Sequence, residues 1–367
     1  MASNGGGTIF FTGFPGFLGS ELLPRVLRRR AGAKAICLVQ PKFAAMARER
    51  ALAIEAREPA LKGRIELAEG DITAADLGLE DFKETAREVR EIFHLAAVYD
   101  LSVRREVGLK VNLDGTRHVL DFADDCRKLE RFQYVSTCYV SGRYAGIYRE
   151  TDLDKGQEFN NFYEETKFLA EVEVQARMKG GLPATIYRPA VVVGDSKTGD
   201  TQKYDGPYFA IRWLLKQPGV AILPVVGDTH RTRLNLVPRD FVISAIDALA
   251  GMRLADGKVY QLADPEPLTI AEVIDAIAKA TGRMVVKLPL PVGLAKRAID
   301  YVPGVYRLMQ IPSASIDYFV HPTFYDTANT QADLAPIGLA VPPLRSYLPA
   351  LVEFMKAHPE VGSEAMV

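Results

Sequence analysis

The first half of the chain alternates short apolar runs with longer segments in which apolar residues recur at the helical period. Runs of the first kind predict buried strands, and segments of the second kind predict the helices that cover them. Strands are expected over Thr8–Thr12, Ala35–Val39, Ile65–Ala68, Glu91–Leu95, Phe132–Ser136 and Ala184–Arg188. Helices are expected over Phe17–Arg30, Phe43–Ala56, Val107–Lys128 and Tyr163–Lys179, the last stopped by Gly180 and Gly181. Pro24 falls inside the first helix and should kink or weaken it. Alternating strands and helices describe βαβ units, hence an α/β fold with a doubly wound parallel sheet.

Beyond Arg188 the texture changes to loops rich in glycine and proline, between Gly194 and Gly227 and again over Pro289–Pro322. Asn235–Ala250 and Lys258–Ala263 return to sheet-and-helix patterning. A core that takes back one segment late in the chain accounts for both observations. The remaining stretches would form a smaller lobe over the carboxyl edge of the sheet, where ligands of open α/β sheets bind.

Composition excludes several function classes. With 48% hydrophobic and 25% charged residues, the 367-residue chain can bury a large core of the ordinary globular kind. A formal net charge of −1 gives no broad attraction to nucleic acid, which is not expected as a partner. No apolar run reaches the roughly 18 residues of a membrane span, which leaves peripheral membrane contact open. Cys37, Cys126 and Cys138 are far apart, form no CxxC pair and have no histidine cluster beside them. Neither a disulfide framework nor a metal site is expected, and a reducing, cytoplasmic setting fits. The polar start Met1–Gly7 lacks the basic-then-apolar order of a secretion signal.

The candidate chemistry begins directly after the first strand, where Gly13, Phe14, Gly16, Phe17, Leu18 and Gly19 lie in a glycine-rich turn that opens a helix. Glycines at this spacing allow backbone to approach a pyrophosphate, and the helix start offers unpaired N–H groups. The plainer reading is a turn that packs helix on strand. At the end of the second strand, the run Leu38–Lys42 holds no acid to take a ribose 2′-hydroxyl. Gln40 is neutral and Lys42 is within reach of a 2′-phosphate, so NADP(H) is favoured over NAD(H), unless Lys42 is a solvated loop lysine. Asp71 and Ile72 follow the third strand and are placed near the adenine, although Asp after Gly is also a common turn. Leu95, Ala96 and Ala97 end the fourth strand with side chains small enough for a cofactor to lie against the backbone. His94 is read as a packed strand residue. Asn112, on a core helix, either hydrogen-bonds backbone near the site or satisfies the interior.

Of the fifteen tyrosines only Tyr163 has a lysine, Lys167, four residues later. On a helix the two share a face, and the ammonium would stabilise the phenolate of a residue whose usual pKa is about 10. Alone, the pair is equally a surface tyrosine with a solvated lysine. Thr137, at the carboxyl edge of the fifth strand, adds a hydroxyl that can donate to a carbonyl oxygen. Two apolar stretches, Gly206–Leu215 and Leu288–Phe319, either line a lipid-sized pocket or form the core of the small lobe. Lys197 and Lys203 either meet phosphates of coenzyme A or are solvated.

The order of glycine loop, small-residue strand end, Asn helix, Ser/Thr strand end and Tyr-x-x-x-Lys resembles the extended short-chain dehydrogenase/reductase family over nearly the whole chain. The resemblance implies Thr137, Tyr163 and Lys167 as catalytic hydroxyl, proton carrier and lysine. It implies Arg188, Pro189, Val191 and Val192 at the nicotinamide, with Asn112, Tyr163 and Lys167 also contacting the cofactor. It further implies a Rossmann-type NADP(H)-binding domain over residues 1–194 plus 232–264, and a substrate-binding lobe over 195–231 plus 265–367. Leu38–Lys42, Thr166–Glu171 and Tyr187–Gly199 are similar to the fatty-acyl-CoA and thioester reductase branch. That branch implies reduction of a long-chain acyl thioester to aldehyde, and onward to alcohol if a second hydride follows. Gln40 departs from it, standing where many relatives carry arginine. No adenylation or carrier domain accompanies the motifs, so acyl-CoA, a separate acyl-carrier protein or another carbonyl is the expected substrate. A lipid or sterol ketone/alcohol dehydrogenase, a nucleotide-sugar epimerase and a nucleotide sensor without chemistry are the competing readings. Relatives often form homodimers through the helices carrying Asn112 and Tyr163.

Overall fold

The computed structural model describes residues 6–301 and 313–362; the first residues of the polar start, and 302–312 of the second Gly/Pro-rich stretch, lie outside the described residues. The chain opens as β1 (Thr8–Thr12), α1 (Gly19–Arg29), β2 (Lys34–Val39), α2 (Ala44–Arg57) and β3 (Ile65–Glu69). It continues through α3 (Phe82–Glu88) to β4 (Val89–His94). A helical stretch follows as α4 (Arg105–Gly108), a π-helical turn (Leu109–Asp114) and α5 (Gly115–Asp125), then β5 (Arg131–Val135). The short β6 (Gly146–Tyr148) and long α6 (Phe162–Lys179) precede β7 (Ala184–Pro189) and β8 (Val191–Val193). Next come α7 (Pro207–Leu215), β9 (Val220–Val226), β10 (Leu236–Pro238), α8 (Arg239–Ala250) and β11 (Val259–Leu262). The chain closes with α9 (Ile270–Thr281), β12 (Met284–Leu290), α10 (Val292–Tyr301), β13 (Thr323–Tyr325), α11 (Ala328–Leu334) and α12 (Leu344–Ala357).

Seven parallel strands make the central sheet in the order β11-β7-β5-β4-β1-β2-β3. Strand order reverses between β1 and β4, and the crevice at such a switch point is where open α/β sheets bind ligands. Central strands covered on both faces must be apolar throughout, and Ile9, Phe10 and Phe11 of β1 are fully buried. One core, around Leu22, Val26 and Ile246, fills one face of the sheet. A second, around Phe10, Phe122 and Val174, fills the other. A third core, around Tyr208, Ile211, Ile274 and Leu348, lies where α7, α9 and α12 gather on the two-stranded ribbon β9·β12.

The late segment Lys258–Ala263 does return to the sheet, as β11 beside β7. Its outer edge is not left bare. The Asn329 amide donates to the Val259 carbonyl, the Thr330 hydroxyl donates to that of Gln261, and the Gln261 N–H donates to Glu150. Side chains thus occupy edge groups that would otherwise pair with another chain. Residues Thr323–Leu334 accordingly pack back on the sheet, with Tyr325 and Leu334 in the first core.

Pro24 falls inside α1 as expected, and the helix runs on past it to Arg29. Two expectations need correction. The Val107–Lys128 helix is interrupted by the π-helical turn that carries Asn112, and it stops at Asp125. The strand expected over Phe132–Ser136 lies one residue earlier, at Arg131–Val135, since Thr137 caps a 3₁₀ turn and draws the chain out of the sheet.

Candidate active site

A single cleft of about 1130 Å³ runs along the carboxyl edge of the sheet. The glycine-rich turn forms one end. Gly13 has φ +90°, and a Cβ there would lie 2.9 Å from the Ala96 N–H nitrogen and from Leu95. Only glycine fits a positive φ with backbone this close. A Cβ on Gly19 would lie 2.4 Å from the Gly13 carbonyl oxygen. The result is a cradle of bare backbone at the start of α1, which fits a pyrophosphate. Gly13, Phe14, Gly16, Phe17, Leu18, Gly19, Gln40, Lys42, Asp71, Ile72, Leu95, Ala96 and Ala97 all border the cleft.

At the β2 end the Gln40 amide donates to Asp71 at 2.9 Å. Burial opposes ionisation of Asp71, but the Thr73 N–H, Gln40 and Lys110 outweigh it and hold the carboxyl below its usual range. Lys42 is exposed over the Phe43 ring, and Arg50 of α2 borders the same part of the cleft. Arg50 was missed in the sequence. Its signal is its spacing, two helical turns beyond Phe43.

A buried chain of hydrogen bonds shapes the loop after β4. The Ala96 N–H donates to the Thr12 hydroxyl, which lies 2.8 Å from His94 Nδ1; Nε2 lies 3.0 Å from the Thr116 hydroxyl, itself donating to the Asn112 carbonyl. Burial pushes His94 down to about 3, so the ring is neutral. With Thr116 committed as donor, Nε2 carries the hydrogen and Nδ1 accepts. Asn112 does not border the cleft. Its side chain accepts from the Val98 N–H at 2.8 Å and donates to the Val98 carbonyl and to Thr166, clamping the loop against α6.

Thr137, Tyr163 and Lys167 come together midway along the cleft, each more than nine-tenths buried. The Asn161 side chain caps α6 by accepting from the Glu164 N–H, which sets the helix start directly before Tyr163. Burial raises the phenol above its usual range, and the neighbouring Thr137 hydroxyl opposes the rise. The Lys167 ammonium donates to the Tyr134 hydroxyl at 3.0 Å and the Val135 carbonyl at 2.9 Å. One of its three donors remains for the cleft. Burial pushes Lys167 down to about 7. Below that pH it is charged, and above it the charge is lost. If the ammonium supports turnover, kcat/KM should therefore fall as pH rises through about 7, approaching tenfold per unit. Lys167→Arg, charged throughout, should lack this limb. A wild-type profile flat from about pH 6 to about pH 9 would remove the ammonium from the chemistry.

Pro189, Val191 and Val192 border the cleft beside this group. Arg188 does not, and its expected cofactor contact is corrected. Strand alternation turns its side chain to the other face, where the guanidinium pairs with Glu171 at 2.6 Å, both fully buried. Two further walls complete this part of the cleft. The Tyr99 ring stands edge-on to Tyr163, centroids 5.1 Å apart, and Asp205, which pairs with Lys203 at 3.2 Å, borders the cleft beside them. Lys203 is thus part of the cleft wall, whereas the Lys197 N–H joins the Asp195 turn. Tyr318 also borders the cleft and accepts from the Asn161 amide, next to Glu164, whose carboxyl burial pushes up to about 7.

Past Pro207 the cleft becomes an apolar chamber. Phe209 and Ala210 of α7 and Ile316 and Phe319 come from the two stretches singled out in the sequence. Leu223 and Val225 of β9 and Val273, Ile274 and Ile277 of α9 complete the wall. No charged side chain is among the chamber's described lining residues.

A switch-point glycine cradle with Thr, Tyr and Lys on one cleft defines an extended short-chain dehydrogenase/reductase, a nicotinamide-dependent oxidoreductase. The comparisons place it more closely. The family described as "Male sterility protein" matches residues 11–246, and the chain belongs to that family. Glycine betaine reductase ATRR of Emericella nidulans is 30% identical over 285 residues, 73% of this chain and 22% of that protein. The alcohol-forming fatty acyl-CoA reductase of Simmondsia chinensis is 27% identical over 50% of this chain and 47% of that protein. The chain thus spans less than half the length of either. Among solved structures, the terminal R domain from the myxalamid PKS-NRPS biosynthetic pathway superposes with a TM-score of 0.81 at 27% identity, covering 98% of this chain and 92% of that one.

Proposed function

We propose that the protein is an NADPH-dependent reductase of a long-chain acyl thioester, carried by coenzyme A or an acyl-carrier protein. The observation that carries this reading is the continuity of the cleft, from the glycine cradle past Thr137, Tyr163 and Lys167 into a chamber lined without charge. The names of the Simmondsia chinensis relative and the myxalamid domain support the thioester class.

When bound, the nicotinamide supplies the hydride. Thr137 and Tyr163 donate to the substrate oxygen as negative charge develops on it, and Tyr163 transfers its proton there. Lys167 stabilises the phenolate that results. With a thioester, the Tyr163 phenolate takes the proton back as the carbon–sulfur bond of the hemithioacetal breaks, releasing aldehyde and a thiolate that takes its proton from water. Reduction of that aldehyde to the alcohol needs a second cofactor and a second proton from Tyr163.

Cofactor choice rests on Lys42 and Arg50, two cations beside the β2 end, where the one acid, Asp71, is held by the Gln40 amide. Alanine at either position is expected to weaken NADPH about tenfold and leave NADH unchanged. The function is tested by supplying long-chain acyl-CoAs, acyl-carrier thioesters, aldehydes, sterol ketones and UDP-sugars with each cofactor and following its absorbance. Thioester turnover is the expected result. Turnover confined to a ketone would replace this reading with a lipid or sterol dehydrogenase, which the same chamber would serve.

A further inference from the structure

The ribbon β9·β12 breaks the pattern of a half-buried sheet. One face, through Ala221 and Leu223, packs into the third core, and Leu223 and Val225 also border the apolar chamber. The other face should then be polar. Instead Val220, Ile222, Met284, Val286 and Leu288 point outward and are 50–69% exposed. The parallel register sets Val220 beside Met284 and Ile222 beside Val286, so these side chains form one continuous patch. Leu294 of α10, 56% exposed, follows a few residues past the end of β12. Single exposed aliphatics need no explanation, but a contiguous patch marks a surface that meets something.

The charge beside it is one-sided. Residues 216–226 and 279–297 contain Lys216, Lys279, Arg283, Lys287, Lys296 and Arg297 and not one acid, in a chain of net charge −1. Lys287 and Lys296 are paired to Asp275 and Asp317. Lys216, Lys279 and Arg297 are exposed and form no ion pair among the described residues. Lys216 precedes β9, Arg283 immediately precedes β12, and Arg297 lies one turn beyond Leu294, so cations flank the patch.

We propose that this face is a peripheral membrane-docking surface, its aliphatic side chains entering the acyl boundary while Lys216, Lys279, Arg283 and Arg297 meet anionic headgroups. An apolar face flanked by cations is the combination that binds an anionic interface. A second copy of the chain would set positive flank against positive flank. Among the described residues no helix is long and apolar enough to cross a membrane, so the contact is interfacial. The ribbon that meets the bilayer also walls the apolar chamber, which places substrate uptake from lipid on the far side of one strand pair. That last step rests on the long-chain reading above; the docking itself does not.

The test is co-sedimentation of the full chain with vesicles of phosphatidylcholine alone and of phosphatidylcholine mixed with phosphatidylglycerol. Binding to the mixed vesicles, weakened by salt, is expected. Ile222→Glu combined with Val286→Glu, both at exposed positions, should reduce it by roughly tenfold or more. Turnover of a soluble short-chain thioester should be unchanged, which shows the variant folded. Lys279→Glu with Arg297→Glu, which leaves the ribbon intact, should lower binding to the mixed vesicles only. Absence of binding to either vesicle, or binding that both variants retain, overturns the proposal. So does a homodimer or a complex with acyl-carrier protein that the ribbon variant abolishes while vesicle binding persists. Vesicle binding without any thioester turnover would leave the surface standing and remove the thioester function.

Discussion

Tyr163→Phe is expected to lower kcat by roughly 10²–10⁴-fold while leaving nicotinamide-cofactor affinity within about threefold. The substitution removes one hydroxyl from a ring packed edge-on against Tyr99 and among Val98 and Val103, so the cleft keeps its shape. What it removes is the proton that the substrate oxygen receives. Thr137 remains as a donor once its one hydrogen turns from the Pro189 carbonyl, 3.4 Å away, to the substrate oxygen, but an aliphatic alcohol is too weak an acid to supply the proton. Cofactor binding by fluorescence titration, beside steady-state turnover, separates the two effects. A near-normal kcat would refute Tyr163 as proton carrier.

The second large effect lies behind the site. Glu171→Gln is expected to destabilise the fold by about 3–5 kcal/mol, because it leaves the Arg188 guanidinium buried without its counter-charge. Both partners are fully buried; Glu171 also accepts from Ser136 at 2.6 Å, and Arg188 donates to the Asp152 carbonyl at 2.7 Å. Ser136 precedes Thr137, so the same anchor fixes the strand end from which the Thr137 hydroxyl projects. The double variant Glu171→Met with Arg188→Met removes both charges and should recover most of the stability in urea unfolding. If Glu171→Gln unfolds at the wild-type urea concentration, the ion pair contributes nothing to stability.

The sheet was legible in the chain because its central strands are buried on both faces, and unbroken apolar runs such as Ile9–Phe11 carry that signal. The β9·β12 ribbon was not, since its outer face is aliphatic and hides the alternation by which a strand is recognised. Tyr163 and Lys167 could be paired from spacing alone, as neighbours on one helix face. Arg188 shows where the resemblance misleads: it implied a place at the nicotinamide, while the side-chain alternation of β7 sent the guanidinium to Glu171. Asn112 was readable as a core residue, but the bond that clamps Val98 depends on a π-helical turn with no sequence signature. Tyr318 and Asp205 reach the cleft only through tertiary approach of segments far apart in the chain.

The position of β11 carries a consequence for how the chain is made. Its partner β7 ends at Pro189, some seventy residues before β11 is complete at Leu262, and the side chains that close the outer edge arrive only at Asn329 and Thr330. During synthesis the sheet therefore exists first with β7 as an open edge and then with β11 as one. Fragments ending between these points should be the aggregation-prone species, and a chain cut after Ala263 should be less soluble than one extended past Leu334.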